Sequence, residues 1–275
     1  MPRMSNVSHA RHAGLHLALR TYGRGPVHVL AFHGFGRTGA DFHFLEPVLA
    51  ERCTVHAFDL PFHGHSPKPR ERTRQPYGKA EFAAFFREYL DARGIDKAVF
   101  LGYSLGGRIA LCLLESLPER ALKGVLLAPD GLVRHPWYRA LAGFGLGRWL
   151  YRGFVRSPDL AIGLTRGLER LGGINERMAR FLLQHMQEKH LRQLVHDVWV
   201  AFRLLEPDLG RVAEQARGGV PLHLVFGRHD RVIRTEQGRK FQQLAPEAIT
   251  VDEVEAGHVL LTPTVARYLV EQDLL

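Results

Sequence analysis

Cysteine is scarce in this chain: two residues in 275, Cys53 and Cys112, each within or beside an apolar segment. That argues against a disulfide framework and for two buried thiols, so a reducing, cytoplasmic compartment is expected. Long apolar runs are missing as well. No segment approaches the roughly 20 residues of a membrane span. The opening stretch MPRMSNVSHARHAGLHLALR lacks the apolar core of about 7–15 residues that a secretory signal needs, so no leader and no stable membrane insertion are expected. The chain also has no internal repeat, no low-complexity tract and no dense Lys/Arg run. Its net charge of +9 is carried mostly by dispersed arginines without a DNA- or RNA-binding motif, so a nucleic-acid partner is not expected.

Histidine is plentiful, with 16 in the chain, and the nearest thing to a metal motif is His63-Gly64-His65 with Asp59 close by. No further ligand follows at a recognisable spacing, so these residues read as a structural turn and no metal is expected.

With these classes set aside, the composition is that of a globular protein, 45% hydrophobic and 24% charged, and the length suits one α/β core carrying an insertion. Short runs rich in Val, Ile, Leu and Phe at 27–32, 54–58, 97–103, 124–128, 222–226 and 249–254 read as buried strands. Segments of helical period at 40–51, 79–93, 104–117 and 265–274 lie among them, the pattern of βα units around a mostly parallel sheet. The alternation breaks over 131–218, which holds no convincing strand and carries Leu, Arg and aromatics at helical spacing. This predicts a core over 1–130 and 219–275 with a helical insertion, a lid, at 131–218. Within it 176–202 reads as a long amphipathic helix, while 138–154 is interrupted by Gly143, Gly145, Gly147 and Gly153. Residues 131–217 hold 14 Lys/Arg against 8 Asp/Glu, a surplus best read as a solvated outer face.

The residues with chemical meaning fall at the strand ends. Gly102-Tyr103-Ser104-Leu105-Gly106 matches G-x-S-x-G, a sharp strand-to-helix turn that presents a serine at its tip. Six serines and 28 glycines give roughly 0.06 chance matches in such a composition, so the match alone is only suggestive. The context strengthens it, because an apolar run precedes the motif and a helical run follows. Serine needs a base to take its proton and a third group to hold that base. Asp230 in Gly227-Arg228-His229-Asp230 and His258 in Gly257-His258 supply both, in the order Ser, Asp, His. Asp130 in Ala128-Pro129-Asp130-Gly131 is the rival acid. An oxyanion formed at Ser104 needs two donors, for which the backbone amides of Leu105 and of Phe35 in His33-Gly34-Phe35-Gly36 are the candidates. Arg108, one helical turn after Ser104, and the aromatics Trp137 and Trp149 are the candidate substrate contacts.

Together with Asp59-Leu60-Pro61-Phe62-His63-Gly64-His65-Ser66, these motifs resemble the α/β-hydrolase superfamily over about residues 14–275, in its lid-bearing esterase branch. The resemblance implies a Ser-His-Asp triad, an oxyanion hole of backbone amides, no cofactor, a helical cap and a small-molecule ester as substrate. Phe62 departs from the pattern that the resemblance implies, since relatives usually carry a small residue or glycine there. Arg108 also resembles an arginine of the menaquinone-pathway synthase, which shares fold and triad and eliminates pyruvate from an anionic substrate. A hydrolase-fold binding protein with slow turnover is the third reading.

Overall fold

The computed structural model describes residues 6–133, 157–172, 179–180 and 189–275. Eight strands form one sheet: β1 (Ser8–His12), β2 (Leu15–Tyr22), β3 (Val27–Phe32), β4 (Cys53–Phe58), β5 (Ala98–Tyr103), β6 (Ala121–Leu127), β7 (Leu222–Gly227) and β8 (Ile249–Val254), in the order β1-β2-β4-β3-β5-β6-β7-β8. β2 runs antiparallel to β1 and β4, and every pairing from β4 to β8 is parallel. This is the mostly parallel, helix-flanked sheet that the resemblance implies.

All six predicted strands are present. The sequence reading missed the β1–β2 hairpin, which turns at Ala13 and Gly14, both with positive φ (45° and 75°), as a tight hairpin turn requires. Only Ala10 of β1 is buried, so this edge strand lacks the apolar run that marks the central strands.

Eight α-helices accompany the strands among the described residues. They are α1 (Glu46–Leu49), α2 (Lys79–Asp91), α3 (Leu105–Ser116), α4 (Pro158–Arg170), α5 (Lys189–Ala201), α6 (Leu209–Arg217), α7 (Thr235–Gln242) and α8 (Pro263–Glu271). The helix expected over 40–51 is a 3₁₀ turn, Gly39–Leu45, running into the short α1. Thr38 and Asp41 form a capping box that fixes its start. α2 buries Phe82, Phe85, Phe86 and Tyr89 on one face. Phe85, Phe86 and Tyr89 pack edge-on against Phe58 of β4, with ring centroids 6.2, 5.0 and 4.9 Å away. Such pairs add about 0.5–1.5 kcal/mol each to the burial itself. α3 is buried almost throughout, as expected of a helix that starts at the serine turn and runs back under the sheet.

The chain divides into two compact units: Met1–Lys68, Gly78–Val133 and Leu205–Leu275 in one, Pro69–Tyr77 and Arg134–Leu204 in the other. The insertion was expected over 131–218, yet 205–218 groups with the sheet. α6 buries Val212, Ala213 and Ala216, and the Asp208 N–H that precedes it donates to Glu115 of α3 at 2.9 Å. Pro69–Tyr77, read as core, groups with the second unit. There the Tyr77 N–H donates to the Ala201 carbonyl at 2.8 Å and its ring meets Phe202 edge-on. Trp137 and the 138–154 segment, which contains Trp149, lie outside the described residues. Of the predicted 176–202 helix, the described part contains α5. Among the described residues no helix is long and apolar enough to cross a membrane.

Candidate active site

The parallel strands all point their C-terminal ends to one edge of the sheet, where open α/β sheets bind ligands. Three of those ends bring the predicted residues together. β5 ends at Tyr103 and the chain reverses at Ser104, whose φ of 50° and ψ of −117° are a conformation that a side chain rarely accepts. The flanking glycines make the reversal feasible. A Cβ on Gly102 would lie 2.5 Å from the Gly106 carbonyl oxygen, and one on Gly106 would lie 1.9 Å from that of Phe32. The turn is pinned on both sides, because the Ser104 N–H donates to Leu127 at 3.0 Å and its carbonyl accepts from Asp130 N–H at 2.9 Å.

β7 ends at Gly227, and the following loop carries Asp230, whose carboxylate is fully buried. Its Oδ1 accepts the N–H groups of Val232 and Ile233 at 2.7 and 3.0 Å. Oδ2 lies 2.7 Å from Nδ1 of His258, which sits in the loop after β8. His258 Nε2 lies 3.2 Å from Ser104 Oγ. With Asp230 accepting from Nδ1–H, the imidazole presents a bare Nε2 to the serine hydroxyl. Three residues spread over 155 positions of sequence thus share one line of hydrogen bonds.

The loop after β3 passes directly alongside. A Cβ on Gly34 would come within 2.9 Å of the Tyr103 ring and 3.3 Å of Ser104 Cβ, so only glycine fits. His33, fully buried, fixes this loop from beneath: its Nδ1–H donates to the Gly34 carbonyl at 2.7 Å, and Nε2 accepts from Leu60 N–H at 2.9 Å. Burial lowers the His33 pKa to about 4, in keeping with a neutral ring whose two nitrogens have opposite roles. Asp59 adds a second anchor, taking Gly39 N–H at 2.7 Å on Oδ1 and His65 N–H at 2.8 Å on Oδ2, with Arg20 3.3 Å away. This hub is what the Asp59–Ser66 motif builds. His63 faces His33 and Phe35 edge-on and donates from Nδ1 to the Pro61 carbonyl at 3.0 Å, while burial brings its pKa down to about 3. Among the described residues no group of three or more His, Cys, Asp or Glu is placed to hold a metal ion.

Leu105 is the first residue of α3, where backbone N–H groups lack a partner within the helix. Phe35 lies on the loop bordering Ser104, half-exposed. Arg108 points away from the role of an unengaged anion clamp, since its guanidinium donates to the Asp130 carboxylate. Asp130, the rival acid, is thereby held by Arg108 and by the Gly131 N–H at 2.7 Å. Sequence reasoning overlooked Tyr103, the variable residue of the serine motif, whose hydroxyl donates to the His258 carbonyl at 2.8 Å. A buried tyrosine hydroxyl needs a partner, and that need was the available signal.

Comparison with known proteins identifies the family and the fold. A family model described as alpha/beta hydrolase fold matches residues 27–262. The chain is 31% identical over 264 residues to a pimeloyl-[acyl-carrier protein] methyl ester esterase of Aeromonas hydrophila, covering 88% of this chain and 92% of that one. A putative epoxide hydrolase of Pseudomonas aeruginosa superposes with a TM-score of 0.67 at 19% identity, covering 99% and 96% of the two chains. A thermophilic esterase of Thermogutta terrifontis superposes at 0.66 with 17% identity, covering 98% and 97%.

Proposed function

The chain belongs to the α/β-hydrolase family, and from that premise we propose that it is a serine esterase with Ser104 as nucleophile, His258 as general base and Asp230 as the residue that orients the base. The observation that carries the proposal is the hydrogen-bonded line from Asp230 Oδ2 through His258 to Ser104 Oγ, at 2.7 and 3.2 Å.

In this reading Nε2 of His258 takes the Ser104 proton as Oγ attacks the ester carbonyl. The resulting oxyanion is held by the backbone N–H groups of Leu105 and Phe35, donors of a kind worth about 3–4 kcal/mol each in acyl transfer. His258 returns the proton to the departing alcohol and leaves an acyl group on Ser104. Water, deprotonated by the same nitrogen, then attacks that acyl group and releases the acid. Every step is a proton or acyl transfer, for which these side chains and amides suffice.

The substrate class is a small carboxylic ester, and thioesters or lactones need the same machinery. The likeness to a methyl ester esterase makes methyl esters of acyl chains the first series to test. Trp137 and Trp149 in the inserted segment are the candidate contacts for the acyl chain. Engagement of Arg108 by Asp130 favours ester hydrolysis over elimination from an anionic substrate, which would call on that guanidinium.

Fluorophosphonate labelling together with p-nitrophenyl esters of graded chain length tests the proposal. Wild-type protein is expected to label at Ser104 and turn over esters, and Ser104→Ala to lose both, with a fall in kcat on the order of 10⁴–10⁶. Ser104→Ala retaining more than about a tenth of the activity removes Ser104 from the mechanism. A wild-type serine that neither labels nor turns over esters selects the ligand-binding reading.

A further inference from the structure

We propose that Tyr103 is a positioning residue for His258, tying the loop that carries the base to the turn that carries the nucleophile. This rests on the triad reading and adds a fourth side chain to it.

Tyr103 is the last residue of β5, next to Ser104, and is 3% exposed. Its hydroxyl donates to the backbone carbonyl of His258 at 2.8 Å, a bond between residues 155 apart in sequence. Its ring lies against the imidazole, with centroids 5.5 Å apart and planes inclined by 37°. The same ring is what a Cβ on Gly34 would strike at 2.9 Å. One side chain therefore touches the histidine loop, the oxyanion-side loop and, through its backbone, the nucleophile. Burial raises its pKa to about 12, so the hydroxyl keeps its proton at neutral pH and acts as a donor.

The bond matters because of where it acts. Asp230 fixes Nδ1 of the imidazole, but a ring held at one nitrogen still moves with its backbone. The Ser104–His258 separation of 3.2 Å lies at the long end of hydrogen bonding. Small outward shifts of the loop would break it, and misplacement by about 1 Å costs on the order of a hundredfold in rate. A hydroxyl on the His258 carbonyl holds the backbone of the base, while Asp230 holds its ring. The bond transfers no proton, so its removal should slow chemistry and leave ground-state binding alone.

Tyr103→Phe, which keeps the ring and deletes the hydroxyl, tests this, with Tyr89→Phe as the control. Tyr89 donates its hydroxyl to Nδ1 of His56 at 2.8 Å in the α2–β4 packing and has no part in the site. The expected result for Tyr103→Phe is a kcat about tenfold lower, the same factor in the rate of fluorophosphonate labelling, and an unchanged KM. Tyr89→Phe should lower the melting temperature at least as much and leave kcat in place. Tyr103→Met, an apolar filler without the hydroxyl, should show the same kcat loss and supplies the test if the Phe variant does not fold. The proposal is overturned if wild type labels at Ser104 and the Tyr103 variants label and turn over as fast, or if Tyr89→Phe loses kcat equally. A wild-type Ser104 that does not label overturns the triad reading itself and this inference with it.

Discussion

Arg108 and Asp130 are paired behind the nucleophile turn: the guanidinium donates to Oδ2 of the carboxylate, and Oδ1 accepts the Gly131 N–H. Both candidate acids of the sequence thus have partners, and the partners differ in kind. Asp230 meets an imidazole and two backbone amides, whereas Asp130 meets a permanent cation. Losing the carboxylate that orients a catalytic histidine costs about 10⁴ in kcat, so Asp230→Asn should fall by that order. Asp130→Asn should stay within about tenfold of wild type. Comparing the two rates on one ester decides the matter, and a more severe loss in the Asp130 variant reverses the assignment.

The same pair sets the expectation for Arg108→Met. Both side chains are mostly buried, 14% and 28% exposed, so removing one partner strands a charge. A stability loss of about 1–3 kcal/mol is expected, with the KM of neutral esters unchanged. Arg108→Met combined with Asp130→Leu should recover part of that stability, as the stranded carboxylate is gone. If Arg108→Met instead raises KM ten- to a hundredfold for carboxylate-bearing substrates alone, at constant melting temperature, Arg108 is a substrate contact.

How far the sequence could be read depended on whether a signal was local. Strands β3 to β7 were legible as apolar runs because most of their residues are buried on both faces, and the elbow was legible because glycine is obligatory at 102 and 106. The β1–β2 hairpin was not, since a polar edge strand carries almost no periodic signal, and the alternation of Leu15, Leu17 and Leu19 in β2 was too short to stand out. The expected end of the insertion at 218 and the grouping of 205–218 with the sheet differ because α6 is amphipathic like the helices before it. What groups it with the sheet is tertiary: the buried Val212, Ala213 and Ala216, the Asp208 N–H on Glu115 of α3 and Arg217 on the Leu244 carbonyl. Tyr103 was passed over for a similar reason, as its partner is a backbone carbonyl 155 residues away.

Buried histidines, two beside the site and one away from it, give the protein an acid sensitivity of its fold. Burial lowers the pKa of His33 to about 4, of His56 to about 4 and of His63 to about 3. An unfolded histidine titrates near 6.5, so below that pH the unfolded chain binds protons that the folded chain refuses. Stability is therefore full above pH 6.5 and declines as pH falls toward 4, by about 1.4 kcal/mol per pH unit for each such histidine. Melting temperatures measured from pH 8 to pH 5 should be flat and then drop. His56→Gln should shallow the drop, and a melting temperature constant down to pH 5 would contradict the argument.

Phe62 offers a test of backbone strain. It departs from the motif of the family that the sequence resembles, and its φ of 70° places it in the left-handed region, yet its side chain is 3% exposed. Its N–H donates to the Pro67 carbonyl at 3.0 Å, closing the turn that presents His63 and Gly64 to Asp59. Two terms oppose each other: the left-handed backbone costs a residue with a Cβ about 1–2 kcal/mol, and burying a phenylalanine returns about 3–5 kcal/mol. Packing wins, which explains how a large residue holds a left-handed backbone position. Phe62→Gly and Phe62→Ala should both destabilise, because both empty the same space. They should differ in an unusual order, with the glycine variant more stable than the alanine variant by about 1 kcal/mol, the reverse of the usual preference for alanine. Urea unfolding midpoints of the two variants measure this directly. Equal midpoints, or a more stable alanine variant, would show that the turn relaxes once the ring is gone and that position 62 holds no strain.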